Sequence, residues 1–155
     1  MVKMNLISKI IKSISIGMKI SKSWEYLANG SVDLADKEVD KLFKVYKNPL
    51  PDDLVFGGYV RFRAKRFQDA VQLFERGLVA IEESKKINQD TKNYLKIYVR
   101  KPMAVSLAMI QKKSVLFDKL VETKFDINLR NVPDRIKSVH RIENLEGAEN
   151  VRLIE

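Results

Sequence analysis

DLVFGGYVRFRAKRFQDAVQLFERGLVAIEESKK, residues 53–86, holds the most regular pattern in the chain. Phe67, Ala70, Val71, Phe74, Leu78 and Ile81 recur at helical spacing, and Gln68, Asp69, Gln72, Glu75, Arg76, Glu82 and Glu83 fall elsewhere. That is one apolar stripe on a polar helix. The residues before Lys65 and Arg66 read as a second helix, so the stretch predicts two helices joined by a tight turn. Gly57-Gly58 is costly inside a helix. Either the first helix starts later or another backbone packs close there.

The same residues resemble a tetratricopeptide repeat. Leu54, Gly58, Phe67, Ala70 and Phe74 fall where that family has a large apolar residue, a small residue, an aromatic, a second small residue and another aromatic. Arg61 stands where the family prefers tyrosine, and Glu82 where it often has proline. Thirty-four residues on, Ala104 is in register but Ala108 replaces the aromatic. The resemblance covers about residues 54–83 and implies a helical hairpin.

Other helices flank this stretch. NGSVDLADKEVDKLFKVYKNP, residues 29–49, offers Ser31 as N-cap, acids near its start and lysines near its end. Ala35, Val39, Leu42, Phe43 and Tyr46 form its apolar face, and Asn48-Pro49 stops it. Pro102 suits the first turn of a new helix. The residues after it, Met103 to Ile110, are apolar almost all round, which predicts a central, buried element. Leu95, Ile97 and Val99 alternate like a strand, as do Phe125, Ile127 and Leu129.

The N-terminal stretch NLISKIIKSISIGMKISKSW, residues 5–24, contains no acid. As a helix it places Leu6, Ile7, Ile10, Ile11, Ile14 and Met18 on one side, with Lys9, Lys12 and Lys19 opposite. Ile14, Ile16, Met18 and Ile20 also alternate as in a strand, with Gly17 as a break. The expectation is a helix over 5–16 packed on the domain. A peripheral membrane helix and a mitochondrial presequence are the competing readings.

Together these patterns predict a mainly α fold: one globular domain over 1–155, a compact bundle of about five to six helices. Residues 1–21 form a basic amphipathic segment packed on it. Segments 14–20, 95–99 and 125–129 add a small β element or, in the alternative, make the fold α+β.

The 155 residues carry a net charge of +9, unevenly spread. Residues 1–24 hold +5, 25–53 hold −3, 54–101 hold +6 and 102–155 hold +1. Basic patches suit an acidic protein, a nucleic acid or an anionic membrane. YVRFRAKR, residues 59–66, places Arg61, Arg63, Lys65 and Arg66 beside Tyr59 and Phe62. Arg100 and Lys101 add a further basic pair. Guanidiniums present planar donor forks to carboxylates and phosphates, so these six are the candidate partner- or polyanion-binding residues.

Catalytic signatures are not evident. There is no cysteine, so no disulfide or thiolate site. His140 is the single histidine and reads as a solvated surface residue. No serine sits in a G-x-S-x-G turn, and Gly57-Gly58 lacks the spacing of a phosphate loop. No metal or cofactor is expected. The expectation is a non-catalytic cytoplasmic adaptor or inhibitor-type protein. Its partner would be a protein with an acidic surface, with nucleic acid or membrane as the alternative.

Overall fold

The structure, a computed structural model, describes residues 5–155. The chain divides into two compact units, Met1–Pro49 and Leu50–Glu155. The fold is mainly α with a small parallel β pair, as the patterning predicts.

The first unit is a helical hairpin of α1 (Leu6–Ala28) and α2 (Val32–Val45). Asn5 caps α1, its side chain accepting from the Ser8 amide at 2.7 Å. Gly30 turns the chain at φ +77°, a conformation open to glycine at little cost. Ser23 Oγ donates to the Ala35 carbonyl at 3.0 Å and ties the two helices together. Glu38 is buried, and Lys41 at 3.3 Å and Lys22 at 3.8 Å offset its charge. Ala35, Val39 and Leu42 are buried as expected, and Phe43 and Tyr46 are half-buried. Ser31 sits at the N-cap of α2, but its hydroxyl makes no capping bond.

One expectation for α1 does not hold. Gly17 is no break, and 14–20 is no strand: the helix runs unbroken from 6 to 28. One interior glycine costs about 1 kcal/mol against alanine, less than a long helical ladder tolerates. The apolar stripe is not covered by α2. Leu6, Ile7, Ile10, Ile11, Ile14 and Met18 are all at least 50% exposed.

The second unit begins with the hairpin legible in residues 53–86. Helix α3 (Pro51–Arg63) starts with Pro51 in its first turn, where a missing amide costs nothing. Asp52 and Asp53 sit at its positive end. Lys65 adopts φ +61° in the turn, and α4 (Phe67–Glu83) returns. The glycines explain how closely they pack. A Cβ on Gly58 would lie 2.6 Å from the Phe74 ring, and one on Gly77 would lie 2.5 Å from Val55 Cγ1.

Helix α5 (Gln89–Ile110) is the long central element. Asn88 caps it, accepting from the Thr91 amide at 2.8 Å. Residues 95–99 are helical rather than a strand, and Pro102 lies inside the helix rather than at its start. The ladder loses one bond there, and buried packing of Tyr94 to Met103 outweighs the loss. The most buried part of α5 lies before Pro102. Met103 and Leu107 are buried, while Val105 and Met109 are exposed and Ile110 half-buried.

Helix α6 (Val115–Glu122) follows, capped by Ser114, whose hydroxyl donates to Glu75 Oε2 at 3.0 Å. Strand β1 (Phe125–Ile127) pairs in parallel with β2 (Val151–Leu153), Phe125 opposite Val151. The crossover between them contains α7 (Asp134–Val139). Of the three expected strand segments only 125–127 is one, and its partner is the C-terminal stretch. Asp90 ties β1's exit to α5, its carboxylate accepting from the Asn128 amide at 2.9 Å and the Asn131 side chain at 2.8 Å. Val55, Phe74, Ile81, Leu95, Val99, Met103, Ile127 and Ile136 make the core.

Candidate functional site: a basic, tyrosine-walled cleft

The candidate basic residues do not form one patch. Arg61 is buried, 7% exposed, against the expectation of an exposed cluster. It sits on a helix whose faces are buried nearly all round. Arg63 is exposed and donates to the Tyr59 hydroxyl at 3.2 Å, its guanidinium 5.9 Å from that ring's centre. Lys65 is an exposed turn residue. Arg66 is spent on Asp69, with Nη2 2.9 Å from the carboxylate.

Arg100 and Lys101 do share a site. They lie on α5 along a cleft of about 1040 Å³ within the second unit. Tyr59 and Phe62 of α3 form one part of its wall. Tyr94, Ile97, Tyr98 and Val105 of α5 form another, and Phe117 and Val121 of α6 a third. Lys137 of α7, with Arg141 and Glu143 just after that helix, completes the lining. Four cations thus face a lining with one acid. Arg100 Nη1 donates to the Glu149 carbonyl at 2.7 Å, which holds it at the rim. Lys137 is shared with the Leu129 carbonyl at 3.2 Å and with Asp134 at 3.3 Å, so its charge is partly engaged. Lys101 makes no ion pair among the described residues.

Three phenols are among these wall residues. Tyr59 and Tyr98 rings lie 5.6 Å apart, tilted by 46°. Tyr94 donates its hydroxyl proton to the His140 carbonyl at 2.7 Å. The Tyr98 hydroxyl is buried with no hydrogen-bond partner among the described residues. Burial raises the Tyr98 pKa well above the usual phenol value, and Tyr59 and Tyr94 add to it. Burial also raises that of Tyr94. Both groups stay protonated donors.

His140 lies behind this wall and is buried, not solvated. Its ring meets Tyr98 edge-on at 5.0 Å and Phe56 at 6.1 Å. Both ring nitrogens face carbonyls: Nε2 the Asp52 oxygen at 2.8 Å, Nδ1 the Ile136 oxygen at 3.1 Å. A neutral imidazole has one N–H to give. The shorter contact places it on Nε2. Desolvation lowers the His140 pKa and outweighs the pull of the Asp52 carbonyl and carboxylate. Asp52 itself is held by Arg135 at 3.4 Å.

The residues missed from sequence are Lys137, Arg141, Tyr94 and Tyr98. The run KSVHRIEN, residues 137–144, carried a usable signal, since it sets two bases, Lys137 and Arg141, around a histidine in the crossover. The tyrosines sat in a segment that also read as a strand, which hid their common face. No family model matches this chain, and neither a curated protein nor a solved structure matches it.

Proposed function

We propose that the protein is a non-catalytic, cytoplasmic macromolecule-binding protein of the small adaptor or inhibitor kind. It engages an acidic segment of a partner protein through the rim of the second unit's cleft. The observation that carries this reading is the lining: Arg100, Lys101, Lys137 and Arg141 against Glu143, beside the half-buried rings of Tyr59, Phe62 and Phe117. Interfaces concentrate aromatic residues and arginine, and complementary charge steers the encounter. The test is binding of a labelled glutamate-rich peptide. Arg100→Gln with Lys101→Gln weakens it at least fivefold, while Arg66→Gln leaves it unchanged. If duplex DNA binds instead, with affinity falling steeply as salt rises, the partner is a nucleic acid and this reading fails.

A second reading has its own observation. The exposed apolar side of α1, with Lys9, Lys12 and Lys19 on the same helix, has the make-up of an interfacial helix on an anionic membrane. No helix among the described residues is long and apolar enough to cross a membrane. The stripe lacks the tryptophan or phenylalanine that anchors many such helices. Sedimentation with phosphatidylserine vesicles, lost on deletion of residues 1–21, is the expected result. Equal sedimentation of the deleted protein refutes it.

A further inference from the structure

The Tyr98 hydroxyl poses a question the acidic-partner reading does not answer. Native proteins leave few buried polar atoms without a partner, because each has given up water for nothing. Tyr98 is 5% exposed, lines the cleft, and has no partner for its hydroxyl among the described residues. Its neighbours do have partners: Tyr94 gives its proton to the His140 carbonyl, and Tyr59 accepts from Arg63. A phenol-walled space with one idle donor suits a ligand that brings an acceptor.

We propose that this cleft binds a small amphipathic anion, whose apolar body lies against the walls and whose carboxylate accepts from the buried Tyr98 hydroxyl once the side chains that cover it give way. Two features fix that chemistry. Phe62, Ile97, Val105 and Phe117 give the body an apolar wall, and Arg100 and Lys101 give the head a positive field. The volume, about 1040 Å³, is at the upper end of ordinary small-ligand sites. The hydroxyl keeps its proton, so it donates to a carboxylate rather than repelling it. This inference shares cations with the acidic-partner reading but rests on the Tyr98 hydroxyl.

Calorimetric titration with octanoate, below its micelle concentration, tests it against neutral octanol. Octanoate binds one per chain, and octanol at least fivefold more weakly. Tyr98→Phe weakens octanoate about tenfold, the worth of a hydrogen bond to a charged group, and leaves octanol unchanged. Because the hydroxyl is idle without ligand, Tyr98→Phe also keeps or raises the melting temperature of the free protein. Val105→Glu, on an exposed part of the wall, abolishes octanoate binding without unfolding the chain. Absence of octanoate binding, equal binding of octanol, full octanoate affinity in Tyr98→Phe, or a lower melting temperature in that variant each overturns the inference. The glutamate-rich peptide separates the two readings. If it binds wild type and Tyr98→Phe alike while octanoate binds neither, the small-anion site is wrong and the rim reading stands. If octanoate binds as described and the peptide does not, the rim reading fails alone.

Discussion

Gly58→Ala and Gly17→Ala are the same chemical change with opposite expected signs. Each replaces a mid-helix glycine, and each gains about 1 kcal/mol of helix propensity. At Gly17 a Cβ meets nothing within 4 Å, so the gain is kept. At Gly58 the new carbon would lie 2.6 and 2.7 Å from two atoms of the Phe74 ring. Phe74 is fully buried, so the ring cannot swing into solvent. The two helices must separate or the ring must leave its rotamer, and such overpacking costs about 1–3 kcal/mol. The net expectation for Gly58→Ala is a loss of up to about 2 kcal/mol, after the propensity gain is subtracted from the clash. Urea unfolding followed by circular dichroism measures it, with Gly17→Ala as the control. A Gly58→Ala protein more stable than wild type would show that α3 and α4 do not approach as described.

Leu107→Ala should cost about 2–5 kcal/mol, the range for truncating a buried leucine, and Ile110→Ala less, since Ile110 is half-buried; equal losses in chemical denaturation would contradict the burial of α5. Asn88→Ala should cost about 0.5–2 kcal/mol through the lost cap, read as a lower denaturation midpoint, because its side chain serves both the Thr91 amide and the Asn131 carbonyl. His140 gives a pH dependence. Its folded pKa lies below the ordinary 6.5, so the unfolded chain takes up a proton first as pH falls. The stability of the neutral form is complete above 6.5 and declines below it toward the folded pKa. Thermal melts of wild type and His140→Asn, compared from pH 7.5 to 5.5, should show a steeper decline in wild type. Parallel profiles would contradict a buried neutral histidine.

What was legible in the sequence was local. The stripe from Phe67 to Ile81 and the turn at Lys65 needed only neighbouring residues, and both appear as read. Gly17 and Pro102 misled because a breaker acts on one turn, whereas a long helix draws on all its turns. The strand at 125–127 was legible, but its partner at 151–153 was not paired with it, since parallel pairing depends on the crossover between them. Arg61 looked like its exposed neighbours because a bare sequence does not say which helix face another element covers. His140 reads as surface in its own octet, and becomes interior through a carbonyl 88 residues away. The cleft was half visible: Arg100 and Lys101 were singled out, but Lys137 and Arg141 join them only through the fold.

We propose that recognition runs through the cleft of the second unit. Amide chemical-shift mapping during titration with the glutamate-rich peptide tests it most directly. Saturating shifts are expected at Arg100, Lys101, Lys137, Arg141 and the adjoining wall around Tyr59 and Phe117, with residues 6–45 unmoved. Shifts confined to the lysines of α1, or spread evenly over every exposed base, would contradict it.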